Sequence, residues 1–157
     1  MLLNHERYMR LAIDQAVIAG DKNEVPVGAV LISSEGEVLA AAHNGVIEQS
    51  DPTAHAEVRV LRDYSRQISN YRLLNTTLYA TIEPCLMCMG AIIHARVAKV
   101  VFGTGDAKWG AAGSLYDFAE DRRLNHHPEV VSGVCREACR ILIQDFFRTR
   151  RKDQIKT

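Results

Sequence analysis

The 157-residue sequence carries no net charge, only four cysteines and four prolines, few aromatics (6%), and no apolar run long enough to cross a bilayer. Each shortage excludes something. Nineteen basic against nineteen acidic residues leave no whole-chain field to draw it onto nucleic acid or an anionic membrane. A membrane helix needs about 20 consecutive apolar residues, and here the longest uncharged stretches are broken by polar side chains. Four cysteines in a chain this long do not make a disulfide framework. The first seven residues, Met1 to Arg7, lack the basic-then-apolar order of a secretory signal. There is no internal repeat, low-complexity stretch or Pro/Gly/Ser-rich linker. Hydrophobic residues make up 47%, and a chain of ~150 residues buries roughly 70% of its unfolded surface, so one full core is available. The expectation is a single cytoplasmic domain over residues 1–157, with no membrane association.

Zero net charge conceals an asymmetry. From Arg140 to Thr157 there are six basic and two acidic residues, a net of +4, so the first 139 residues carry −4. That basic end reads either as a patch for an anionic partner or as a solvated helix end that complements its own macrodipole.

The pattern of apolar residues alternates between helix and strand periods. A helix is expected from about Asn4 to Ala19, with Asn4 as cap and Gly20 just past the end. Val27–Ile32 and Val38–Ala42 flank Ser33-Ser34-Glu35-Gly36 as a hairpin. Thr53 is the expected cap of a helix from Ala54 to Gln67. A strand follows at Thr77–Thr81, then a helix from Cys85 to Ala95 and a strand at Lys99–Phe102. Residues 104–113 hold three glycines and read as a loop. A short helix is expected at Leu115–Arg122, a strand at Glu129–Val131, and a final helix at about Arg136–Lys152. One hairpin followed by strand–helix–strand units predicts an α/β protein: a mixed five-stranded sheet with helices on both faces.

The chemistry concentrates in His55-Ala56-Glu57 and Pro84-Cys85-Leu86-Met87-Cys88. His55, Cys85 and Cys88 are three zinc-compatible ligands, the number a catalytic zinc takes from its protein while keeping a fourth position open. His94 and the pair Cys135/Cys139 do not supply a fourth at the usual spacing. A Cys-x-x-Cys alone is more often a structural zinc knuckle or a redox pair. Two features favour catalysis. Cys85 and Cys88 fall in the first turn of a helix, where the N-terminus stabilises thiolate. Crossover connections also bring both helix starts to one sheet edge, where ligands collect. Glu57 is poorly placed to ligate from the same turn as His55, but it can exchange a proton with a water activated by the metal. Cys135 and Cys139 read as small apolar residues on a packed helix.

The combined pattern is the signature of zinc nucleobase deaminases. Over nearly its whole length the sequence resembles the bacterial tRNA-specific adenosine deaminases, within the cytidine-deaminase-like superfamily. The resemblance is carried by residues 24–30 (Glu-Val-Pro-Val-Gly-Ala-Val), 51–57 (Asp-Pro-Thr-Ala-His-Ala-Glu), 83–88, 106–114 (Asp-Ala-Lys-Trp-Gly-Ala-Ala-Gly-Ser) and 145–151 (Asp-Phe-Phe-Arg-Thr-Arg-Arg). The second and third stretches are shared with related deaminases, including small guanine deaminases. The last two point to the tRNA enzymes. The resemblance implies a three-layer α/β/α fold, a homodimer with one Zn2+ per subunit, and conversion of adenosine to inosine at the wobble position of an arginine tRNA. It implies His55, Cys85 and Cys88 as zinc ligands and Glu57 as proton shuttle. Asn44 and the Ala56 amide would face the target base. Asp106, Lys108, Phe146, Arg148, Arg150 and Arg151 would contact the anticodon stem-loop; DNA is not an expected partner.

Two positions depart from the family pattern. Gly45-Val46 follow Asn44 where the family often has a proline two positions on, which predicts a looser loop. Trp109 stands where a smaller or polar residue is expected, and it is a candidate to stack on RNA. Two competing functions remain at this point. One is deamination of a free base or nucleoside such as guanine or cytosine. The other is a non-catalytic zinc RNA-binding subunit, against which the retained Glu57 argues. Ala91-Ile92-Ile93-His94-Ala95 and the Gly-Ala-Ala-Gly loop are the candidate dimer contacts.

Overall fold

The computed structural model describes residues 3–155. Met1, Leu2 and Thr157 lie outside the described residues, as does Lys156 of the basic C-terminal cluster. The elements run α1 (His5–Asp21), β1 (Gly28–Ser33), β2 (Val38–His43), α2 (Ala56–Ile68), β3 (Thr76–Ile82), α3 (Leu86–His94), β4 (Lys99–Thr104), β5 (Glu129–Ser132) and α4 (Arg136–Ile155). They form the expected mixed five-stranded sheet, in the order β2-β1-β3-β4-β5. β1 is antiparallel to both its neighbours, so β2 and β3 run the same way, and β3, β4 and β5 are mutually parallel. The carboxyl ends of β2, β3 and β4 therefore meet at one edge, and α2 and α3 begin there.

Strand alternation divides the core between two faces. Ala29 and Leu31 of β1, Leu78 and Ala80 of β3, and Val100 and Phe102 of β4 point to one side, under Val60, Met89 and Ile92 of α2 and α3. Val30, Ile32, Tyr79 and Val101 point to the other, under Tyr8, Met9 and Ala12 of α1 and Cys139 of α4. Each large aliphatic buried this way contributes roughly 1.5–3 kcal/mol. The helix α1 lies unusually close to the sheet at Gly28, where an added Cβ would sit 2.0 Å from the Ala12 carbonyl oxygen.

Several local expectations are corrected. Asn4 does cap α1, accepting from the Arg7 amide at 3.1 Å, but the helix runs through Gly20 to Asp21. Its last carbonyls are instead taken up by the amides of Lys22, Asn23 and Glu24. Thr53 does not cap α2. Its hydroxyl and amide both turn back to Asp51 Oδ1 (2.7 and 2.8 Å), and α2 starts at Ala56 with His55 in the cap position. The helix α3 likewise starts one residue late, with Cys85 as its cap. No helix forms over Leu115–Arg122. The amides of Leu115 and Tyr116 donate back to the Gly110 carbonyl and that of Phe118 to Ala111, so the segment folds back onto the glycine-rich loop instead of coiling. Cys139 is buried as expected, but Cys135 is half-buried, precedes α4 and has φ +52°. Ile92, Ile93 and Ala95 are buried in the single chain, and His94 is exposed.

Candidate active site

The two helix starts supply the three expected metal ligands. His55 caps α2 in an extended conformation (φ −68°, ψ 150°) and makes no side-chain cap bond, so its imidazole is released toward α3. Cys85 holds the same position on α3 (φ −74°, ψ 176°), and Cys88 follows one turn later, fully buried. His55 Nδ1 lies 3.7 Å from Cys85 Sγ and 3.5 Å from Cys88 Sγ, and the two sulfurs are 3.6 Å apart. Tetrahedral zinc at its usual bond lengths calls for about 3.6 Å between nitrogen and sulfur and about 3.8 Å between sulfurs. The three atoms fit zinc on geometry as well as on chemistry, and they are the group among the described residues that could hold a metal ion. The hydrogen bond from Cys88, with help from the His55 ring, holds the Cys85 thiol down to about 4. The same contact and burial push the Cys88 thiol up. With that shared proton lost, both sulfurs would be thiolates able to hold a divalent cation together with His55.

Beside the trio lie two anomalies. Among the described residues, two buried side-chain polar atoms have no hydrogen-bond partner, Glu57 Oε1 and Asn44 Oδ1, and both residues line the same cavity. Leaving such atoms unpaired costs about 1–3 kcal/mol each, so they mark a place where a ligand or water completes the structure. Burial raises the Glu57 carboxyl above its ordinary value, against the opposing pull of His55. Asn44 donates from Nδ2 to the Val25 carbonyl at 3.3 Å, which aims Oδ1 into the cavity. The Ala56 amide stands in the first turn of α2 at the same wall.

Two buried carboxylates missed in the sequence reading hold the rims. Glu24 accepts from the amides of Ile47 (2.9 Å) and Glu48 (3.1 Å). Together with the Gly45 amide on Ala54 and Arg59 on the His43 carbonyl, it ties the loop after Asn44, where proline is missing. Glu83 accepts from the amides of Asp106 (3.1 Å), Ala112 (2.9 Å) and Ser114 (3.0 Å) and from the Ser114 hydroxyl. The glycine-rich loop closes so tightly over it that a Cβ at Gly110 would lie 2.4 Å from its carboxyl carbon. The available signal was an acid at a strand end with no basic residue at helical or cross-strand spacing. Such an acid needs backbone donors.

The outer wall comes from α4. Arg148, Arg150 and Arg151 line the cavity, together with Asp106 and Lys108. Phe146 does not. Its ring packs under the Arg150 guanidinium, 4.7 Å from the centroid, and Phe147 takes the place on the wall. Helical phase could have found this, because Ile143, Phe147, Arg150 and Arg151 form one i, i+4, i+7, i+8 stripe. The cavity measures about 1250 Å³.

Relatives agree with this geometry. Residues 3–104 match the cytidine and deoxycytidylate deaminase zinc-binding region. A tRNA-specific adenosine deaminase of Haemophilus influenzae is 48% identical over 95% of this chain and 86% of its own length. Another, from Bacillus subtilis, is 46% identical over 94% and 91%. A solved structure from work on A-to-I editing by tRNA:A34 deaminases superposes with a TM-score of 0.84 at 38% identity, covering 87% of this chain and 98% of that one. With a zinc-binding deaminase motif, its fold and near full-length identity in agreement, the chain belongs to the tRNA-specific adenosine deaminases, zinc-dependent enzymes of the cytidine and deoxycytidylate deaminase family.

Proposed function

We propose that the chain hydrolyses adenosine to inosine at the wobble position of a tRNA anticodon, presented as a stem-loop on an arginine tRNA. In this reading it is one deaminase domain over residues 1–157, working as a cytoplasmic homodimer. The observation that carries the reading is the pairing of two features in one cavity. A zinc trio with an unpartnered Glu57 carboxylate oxygen lies at the floor, and Lys108, Arg148, Arg150 and Arg151 stand at the rim. Small-molecule pockets span about 300–1,000 Å³ and enclose most of their ligand. This one is larger and cationic at its mouth, which suits a base that arrives on a polyanion.

Bound by His55, Cys85 and Cys88, zinc supplies the Lewis acidity that makes water a nucleophile at neutral pH. Glu57 then does the proton work. Its free Oε1 takes a proton from the attacking water and delivers it to N1 of the adenine, then takes the remaining proton from the new C6 hydroxyl and gives it to the departing amine. A C6–O bond forms, the C6–N bond breaks, and ammonia leaves. Asn44 Oδ1 offers an acceptor and the Ala56 amide a donor to orient the base. Unstacking the target nucleotide costs a few kcal/mol, least in a single-stranded loop.

The test is incubation with an arginine tRNA bearing wobble adenosine, beside free adenosine, cytidine and guanine, with inosine read by primer extension and ammonia by assay. Wobble inosine without small-molecule turnover is expected. Ammonia from a free base alone overturns the substrate class. Light scattering at twice the chain mass is the expected result for the homodimer.

A further inference from the structure

Trp109 is the single tryptophan of the sequence, and it is 61% exposed on the wall of the catalytic cavity. Tryptophan is usually well buried because its large ring contributes much to a core. Among the described residues no aromatic ring pairs with this indole and no cation sits over it. Yet its backbone is closely held. The Trp109 amide donates to Asp106 Oδ1 at 3.2 Å, and the Gly110 amide donates to the Asp106 carbonyl at 2.8 Å. Gly110 bridges to Cys85, and the buried Glu83 carboxylate locks the loop from beneath. The ring is thus carried on a backbone fixed relative to the metal ligands, with its face unused.

We propose that the Trp109 indole is a stacking platform for the nucleobase next to the target in the RNA chain. This rests on the tRNA-editing reading above and adds a subsite to it. A flat ring beside Lys108, lining the same cavity as the arginines of α4, is the combination that binds single-stranded nucleic acid. Aromatics hold the bases and cations hold the phosphates. Apolar side chains share this wall, Leu86 and Phe147 among them, but Lys108, Arg148, Arg150 and Arg151 line it too, and those cations call for an anionic chain rather than an apolar protein face. Stacking accepts any base, so Trp109 sets affinity rather than the identity of the reacting base.

The lone indole makes its own probe. Zinc-loaded protein is titrated with a synthetic anticodon stem-loop carrying wobble adenosine, then with versions abasic at the position 5′ or 3′ of that adenosine, while tryptophan emission is read. The intact stem-loop should quench emission. One abasic substitution should abolish the quench and weaken binding about tenfold, within the range found for base–aromatic stacking. Trp109→Ala should raise KM by a similar factor with a much smaller change in kcat, and Trp109→Phe should recover most of it. Editing with normal KM in Trp109→Ala, or binding without quenching, overturns the platform while leaving the editing function intact. Quenching that grows with protein concentration in the absence of RNA also overturns it, in favour of contact with a second copy. No binding or editing of the stem-loop by the unsubstituted protein overturns both readings together.

Discussion

The floor of the cavity is half-buried to buried, whereas its α4 wall stands mostly in solvent. His55, Glu57, Cys85 and Cys88 come from the first turns of two helices whose starts are fixed by the sheet edge, and Glu24 and Glu83 pin the adjoining loops through five backbone amides. By contrast, Cys139 is the fully buried residue of the twenty in α4. Arg148 and Arg151 are exposed, and among the described residues Arg150 is held by the Asn23 carbonyl and the Phe146 ring. A reacting base must meet fixed atoms within a few tenths of an ångström. A phosphate chain needs only positive charge within reach. The difference teaches that one cavity separates chemistry from capture by how much of each part is buried.

The comparison breaks most visibly at Glu57. Glu57→Ala should cut turnover by about 10²–10⁴-fold while the zinc content of the purified protein stays at one per chain. Loss of zinc together with turnover would erase the division between ligand and proton carrier, and metal analysis decides it.

Next in size are the two pins. Glu83→Gln turns an acceptor for four donors into a mixed group and should lower stability by roughly 3 kcal/mol in denaturant unfolding. Faster amide hydrogen exchange should be confined to residues 105–114. Glu24→Gln serves two donors and should cost about half as much, with the exchange effect in residues 45–50. Equal losses, or exchange spread over the whole chain, would show that the rims are not independently held.

The wall should respond differently. Arg151→Ala should leave unfolding unchanged and weaken tRNA binding a few-fold. It should also reduce the slope of log affinity against log salt by about 0.7–0.9, the release expected for one phosphate contact. An unchanged slope would remove Arg151 from the RNA-facing surface.

The smallest effect belongs to Asp51. The Thr53 hydroxyl and amide hold its carboxyl below the ordinary value of 3.8. A depressed carboxylate contributes stability above its unfolded value and loses it as pH falls through the folded one. The melting temperature of Asp51→Asn should therefore lie slightly below that of the unsubstituted protein at neutral pH and converge with it below about pH 4.

Much of this was legible from residue order. The zinc trio and Glu57 could be read because their spacing places them at helix starts, and helix starts follow from caps, prolines and strand ends. The exchange of Thr53 for His55 at the α2 cap was not legible, because Asp51 and Arg62 compete for Thr53 and only the folded turn shows that Asp51 takes its amide. The missing helix at 115–122 has the same origin, since the segment folds back onto Gly110 and Ala111. Phe146 and Phe147 are adjacent and chemically identical, but helical phase sets Phe147 on the stripe of Ile143, Arg150 and Arg151, so that choice was within reach of the sequence.

By itself, then, the sequence determined the alternation of elements, the two-faced core and the candidate metal ligands, because periodicity and ligand spacing act over short stretches, and its motifs carried the resemblance to the family. The tertiary structure alone decided where buried charge goes. Glu24, Glu57 and Glu83 look alike as letters. Folding surrounds Glu24 and Glu83 with backbone donors and leaves one oxygen of Glu57 without any, and that unpaired oxygen is where a proton can be held.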